Sequence, residues 1–180
     1  IHYSEQPPVP IVPDPEPTPA GNISVTFGGK TAAYDDLTSL GKLKEFKNAT
    51  GAVEITINKD FTAVQTFALP SKAASITIKS GSGEQRTVRL KAASLTASGT
   101  LTLENVILDS GKNKTAITAK KTLTATGCTL GNVKVAGHAD ITNCAIDGML
   151  TLSEKKGLTT LNKVTVIGKL TCAGDLKLTN

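Results

Sequence analysis

Large aromatic side chains are almost missing from this chain. Phe, Tyr and Trp make up 3% of its 180 residues, and there is no tryptophan at all. A core without large rings has to be built from small and branched aliphatic residues. That suits thin, regularly stacked layers better than a rounded two-layer core. Proline is nearly missing from the body, because seven of the eight prolines fall in the first nineteen residues (Pro7, Pro8, Pro10, Pro13, Pro15, Pro17, Pro19). No apolar run reaches about 18 residues, which excludes a transmembrane helix. No secretory signal pattern is present. Ile1 is not an initiator residue, so the chain reads as processed or trimmed. Three cysteines make an odd count, which argues against a full disulfide framework.

Residues 1–21 therefore read as a linker. The stretch EQPPVPIVPDPEPTPAG cannot build a core, and its prolines favour stiff, extended polyproline II. Residues 22–180 are enough for one domain. Thr, Val, Ile and Leu dominate this body and favour strands. The net charge is +5. The lysines are spread along the chain and are not interleaved with aromatics. They read as solvated outward positions, and no nucleic-acid partner is expected.

NISVTFGG predicts a short strand ending in glycines. AAYDDLTSLGKLKEFKNATG predicts one helix near 35–48, with Asp35 or Asp36 as its cap and Gly51 as its stop. Leu37, Leu40, Leu43 and Phe46 form its apolar stripe. A lone helix before a helix-free body is expected to cover one end of the sheet structure that follows.

From Val53 onward the apolar period is two, in VEITIN, SITIK, TVRLK, TLTLEN and NVKVA. Aligning TLTLENVIL, TLTATGCTL, HADITNCAI, LTTLNKVTV and DLKLTN exposes a repeat. One apolar column holds Leu101, Leu123, Ala139, Thr159 and Leu176. A second holds Leu103, Ala125, Ile141, Leu161 and Leu178. A turn column holds Asn105, Gly127, Asn143, Lys163 and Asn180, and Lys163 after Asn162 reads as a one-residue shift. Next comes Val106, Cys128, Cys144 and Val164, and then Leu108, Leu130, Ile146 and Val166. A further strand recurs at 117–119, 133–135, 150–152 and 170–172. Ile55 and Ile57, Ile76 and Ile78, and Val88 and Leu90 read as the same strands joined by longer loops. No single unit can bury its own apolar face, so the units must stack as parallel ladders at ~4.8 Å. Asn and Gly tolerate left-handed backbone and mark the bend between two strands.

The L-x-L-x-N-[VC]-x-[LI] repeat, the Asn turn column, expected to lie in the interior, and the helix ahead of the first coil resemble the right-handed parallel β-helix proteins, the pectate-lyase-like superfold. The resemblance covers about residues 35–180 and implies an all-β, single-stranded solenoid with an N-terminal capping helix. Linker and body together also look like an exported surface lipoprotein of gut bacteria, although the lipidated cysteine is absent. The leucine-rich repeat is the competing architecture. It shares the repeat length and an Asn position, but its L-x-x-L-x-L-x-x-N phrase is missing.

The cysteines stand singly, outside the paired spacing of structural zinc sites, and read as apolar core positions with no metal or cofactor. A disulfide between Cys128 and Cys144 stays open, since residues on adjacent coils fall within bonding range. Cys172 is expected to stay free. The superfold's polysaccharide-cleaving members use acidic clusters, or calcium with a basic residue, on one outer face. The residues that could serve are Asp109 and Asp147, two coils apart in one column at about 9.6 Å, near the upper bound for an inverting pair. Aspartate before glycine is equally turn chemistry. His2 and His138 are the only histidines and suggest no Ser-His-Asp set. Tyr3 and Tyr34 lie outside the coils, so the coils lack an aromatic sugar platform. Outward lysines (Lys114, Lys120, Lys121, Lys134, Lys155, Lys156, Lys169) could draw an anionic polysaccharide, with Lys120, Lys134 and Lys155 as candidate contacts.

The expectation is a non-catalytic surface module on a stalk, for adhesion to another surface protein or for assembly. The alternative is an enzyme or binding protein for acidic polysaccharide. A membrane would be met only through a lost lipid anchor. An uncapped last coil would be an open strand edge, either continued by a longer natural chain or closed by end-to-end pairing of two copies.

Overall fold

A computed structural model describes residues 21–63, 68–90, 94–111 and 115–180. Residues 1–20, with the prolines of the expected linker, His2 and Tyr3, lie outside these ranges, as does Lys114. The chain winds as a parallel β-solenoid of about six turns. Each full turn visits three sheets. The long sheet has nine strands, in the order 30–34, 23–27, 52–57, 75–80, 100–104, 123–126, 139–142, 158–162, 175–179. The second sheet has six strands, from Phe61–Ala63 to Thr165–Val166. The third has five, from Leu95–Ala97 to Leu170–Cys172.

The register follows the repeat columns. Leu123 pairs with Leu101 and Ala139, while Ala125 pairs with Leu103 and Ile141. Leu161 and Leu178 continue the second column. Inward positions of all three sheets meet in one aliphatic core, in which Leu101, Leu103, Leu108, Ile117, Ile141 and Leu150 are fully buried. Among the described residues the one fully buried ring of this core is Phe46 at the cap, with Phe27, Tyr34 and Phe61 packed against the core. Circuits range from 25 residues (Ile78 to Leu103) to 16 (Ala125 to Ile141), yet the columns hold. Length differences are absorbed at the corners between sheets.

The corners explain the turn column. Asn105, Gly127 and Asn143 have φ of 54°, 63° and 53°. Lys163 has φ 52° and keeps the register, since Thr142 pairs with Asn162 directly before it. The expected one-residue shift is therefore absent, and Lys163 itself adopts the strained left-handed form. The terminal Asn180 follows the last strand. The column is not interior. Asn143 and Lys163 are exposed, because the left-handed bend swings the side chain outward. The Asn105 amide donates to Gly83 O (3.1 Å), across to the preceding coil and not to another Asn. At another corner the chain runs so tightly that a Cβ on Gly137 would land on the Lys121 carbonyl oxygen.

The cap differs from expectation in two ways. Ala32–Tyr34, just ahead of the expected helix, belong to an unexpected strand, Lys30–Tyr34, that pairs antiparallel with Ile23–Phe27. Gly28 and Gly29, with φ of 57° and 74°, make the two-residue turn that favours a hairpin. The helix itself is broken into Leu37–Lys42 and Lys44–Lys47, with Leu43 between them in extended conformation (φ −71°, ψ 123°). The three-residue stripe explains the break. Each step of three advances about 300°, so the stripe drifts roughly 60° per step around a straight helix. By Phe46 it would face away from Leu37. The break turns it back, and Leu37, Leu40 and Phe46 are all buried. Asp36 is the cap, accepting from Ser39 N–H at 2.8 Å. The Phe27 and Phe46 rings meet edge to face, 5.7 Å between centroids. A third correction concerns Val88 and Leu90. They pair with Leu108 and Phe61–Ala63 in the second sheet, whereas Ile55 and Ile78 run into Leu103 in the long one. Alternation is the same in each sheet and cannot tell them apart.

Candidate functional site

The carboxylates stand on the outer face of the second sheet. Its outward column runs Thr62, Arg89, Asp109, Gly131, Asp147. Asp109 and Asp147 are exposed, one residue past the inward Leu108 and Ile146. Two strand spacings separate them, roughly 9.6 Å. Their surroundings differ. Asp109 is the register partner of Arg89, and its Oδ1 accepts from Gly111 N–H at 2.8 Å, the turn use of an aspartate before glycine. Asp147 stands beyond Gly131 with no basic register neighbour, and its amide donates to Leu130 O (2.7 Å) within the ladder. Above Arg89 the surface sinks into a hollow of about 280 Å³ bounded by Asp60, Phe61, Thr62, Thr87 and Arg89. Asp60 Oδ1 closes its edge by accepting from Thr87 N–H at 2.9 Å. A wider cleft, about 730 Å³, lies at the cap between the Gly28–Gly29 turn and the segment 48–52, with Lys30 and Glu45 on its walls.

The lysines, dispersed in sequence, are gathered by the winding. Thr118 pairs with Lys134, which pairs with Thr151, on the outward column of the third sheet. Lys120 and Lys121 leave that sheet one coil above Lys134, and Lys155 and Lys156 leave it one coil below. All five are exposed. Glu154 sits among them, its Oε1 accepting from Lys156 N–H at 2.8 Å. The corner thus carries positive charge along three successive coils. Lys169 lies one coil further, where its carbonyl accepts from Leu150 N–H at 2.9 Å.

One pairing was missed from sequence. His138 Nε2 and Asp140 Oδ2 are 2.9 Å apart beside this corner. The signal was the i, i+2 spacing at the entry to the strand Ala139–Thr142, which sets both side chains on one face. It is a surface pair, each side chain more than two-fifths exposed. Among the described residues, no three His, Cys, Asp or Glu side chains gather as a metal-binding group.

The cysteines fall where the repeat puts them, just past the left-handed corner. Cys128 and Cys144 are buried on consecutive coils, and Cys172 is half-buried in the third sheet beside Leu152. Cys128 N–H donates to Cys144 Sγ at 3.3 Å. The Cys128 thiol also points at Thr126 O (3.3 Å), and the Cys144 thiol at Thr142 O (3.2 Å). The side-chain hydrogen bond with Cys128 pulls the Cys144 thiol down to about 7, against the opposing effect of burial. The same bond, with burial, holds the Cys128 thiol far above its ordinary range. All three cysteines are free. No protein-family model, curated protein or solved structure matches the chain.

Proposed function

We propose that the chain is a non-catalytic module exposed at a cell surface, a stiff rod for adhesion or assembly, held off its anchor by the proline-rich segment. The observation that carries this reading is the long sheet, whose seven parallel strands from Ala52–Ile57 to Asp175–Thr179 continue without a break. A ladder of this kind bends little, and one row of its outer face runs Glu54, Thr77, Thr102, Thr124, Asp140, Thr160, Lys177, mostly short polar side chains. That is the chemistry of a broad contact surface. Kinship with the pectate-lyase-like solenoids and export as a surface lipoprotein belong to the same reading. The test is incubation with uronic-acid polymers and calcium, followed by measurement of new reducing ends and unsaturated product. No turnover is expected. Turnover abolished by Asp109→Ala and Asp147→Ala would overturn the non-catalytic reading.

A second reading, binding of an acidic polysaccharide, is favoured by the lysine corner. Lys120, Lys134 and Lys155 stand on three successive coils, so a polyanion could follow the rod axis and meet a cation at each step. A glycan array with sulfated and uronate glycans tests it. Retention should fall with added salt and fall again in the Lys120→Gln, Lys134→Gln, Lys155→Gln triple variant. Retention unchanged in that variant would remove this reading.

A further inference from the structure

We propose that Cys128 and Cys144 form an oxidation site, in which a peroxide converts two stacked thiols into a disulfide joining consecutive coils. The two residues share one column, since Thr129 and Ala145, directly after them, are register partners. Adjacent strands lie ~4.8 Å apart, inside the 4.4–6.8 Å Cα window of disulfides. The Cys144 sulfur already points along the stack at the Cys128 amide, 3.3 Å away. Neither sulfur has to cross the core to meet the other. Cys172 is not a competing partner, because it sits in a different sheet, over Leu152.

Burial selects the oxidant. Cys128 is 1% exposed and Cys144 4%, which bars a bulky disulfide reagent. The exposed corner at Asn143 is one residue away, and a peroxide is little larger than water. The environment assigns the roles. Cys144 Sγ accepts from Cys128 N–H at 3.3 Å, a bond that favours its thiolate, so Cys144 attacks and Cys128 resolves. The Cys144 thiolate attacks one peroxide oxygen, the O–O bond breaks, and the departing hydroxide takes a proton and leaves as water. Cys144 is then a sulfenic acid. The Cys128 sulfur attacks the Cys144 sulfur, the S–O bond breaks, and hydroxide leaves with the Cys128 proton as a second water. Two thiols and one peroxide give one disulfide and two waters.

The test uses the full reduced chain and equimolar hydrogen peroxide, followed by denaturation, alkylation and trypsin. Trypsin separates the three cysteines, with Cys128 in residues 122–134, Cys144 in 135–155 and Cys172 in 170–177. The expected result is that 122–134 and 135–155 are joined, and that alkylated cysteines fall from three to one, restored by reductant. Met149 lies in the second peptide and is 50% exposed, so it takes up oxygen independently; the joined peptide is therefore the readout, not total mass. Three alkylated cysteines after peroxide, an over-oxidised Cys144 with no joined peptide, or linkage through Cys172 would each overturn the proposal. In a Cys172→Ser background, Cys128→Ser should leave a Cys144 sulfenic acid that dimedone captures when the peroxide-treated chain is unfolded in its presence. Capture at no position would overturn the assignment of Cys144 as the attacking thiol.

Discussion

At the cap, Ile23, Val25, Leu40 and Phe46 are wholly buried, whereas in the last coils Leu178 is 66% exposed and Ile167 69%. The contrast is sharpest within one column. Leu103 and Leu178 both occupy the second inward column of the long sheet, and Leu103 has no exposed surface. Nothing in the two residues' own coils accounts for this. Leu103 has strands on both sides, Ser75–Ser80 and Leu123–Thr126, while Leu178 has only Leu158–Asn162. Burial in this fold is conferred by neighbours, coil by coil, as nearest-neighbour stacking requires. At the cap the hairpin and the two short helices supply that neighbour.

This comparison can be broken by substitution. Phe46→Ala should cost about 3–5 kcal/mol and Leu103→Ala about 2–5 kcal/mol. Leu178→Ala should stay within about 0.5 kcal/mol, as for a surface position. Urea midpoints measure all three, and equal losses at Leu103 and Leu178 would refute the neighbour account.

A smaller effect is expected at the corners. A Cβ at Gly137 meets the Lys121 carbonyl oxygen, and one at Gly174 meets the Glu154 carbonyl oxygen. Gly137 is flanked by coils on both sides and cannot yield, so Gly137→Ala should cost about 1–3 kcal/mol. Gly174 belongs to the last coil, so Gly174→Ala should lower Tm distinctly less.

Smaller still is the turn column. Lys163→Asn should gain up to about 1 kcal/mol by relieving left-handed strain. The reverse change, Asn105→Lys, should lose a similar amount, with the bond to Gly83 lost as well. Thermal melts of the two variants give the sign.

The finest contrast is between thiols. Half-buried Cys172 should alkylate in the native protein, while Cys128 and Cys144 react only after unfolding. The buried pair also carries a pH signature. Cys144 is lowered from 9.0 to about 7, so its stabilising contribution is lost as pH falls through 7 and grows as pH rises from 7 to 9. Cys128 is raised, so it opposes folding increasingly above 9. Urea midpoints across this range should climb toward pH 9 in the reduced protein, and the climb should vanish in Cys144→Ser.

The coils were legible because side-chain period and stacking reinforce each other. Once Leu103, Ala125 and Ile141 align, the strands on either side of each corner follow. The hairpin was not legible. Gly28–Gly29 signals a turn, but Ala32–Tyr34 carry helix-compatible residues, and only pairing with Ile23–Phe27 makes them a strand. The helix break at Leu43 is likewise set by what Phe46 must reach. The lysines were legible one by one as outward residues, but not their gathering, because Lys121 and Lys155 are far apart in sequence and only winding sets them on nearby coils. Cys128 and Cys144 were placed by the repeat, but the direction of the Cys144 sulfur depends on the Cys128 amide above it.

The unequal circuits have an engineering consequence. From Val135 to Asp140 the chain takes five steps, while the matching path from Leu152 to Thr160 takes eight, yet both ends stay in register. The three extra residues bulge at the corner around Lys155 and Gly157 and leave the ladders untouched. That corner is a port, where a foreign peptide could be spliced in and held at a fixed height on the rod.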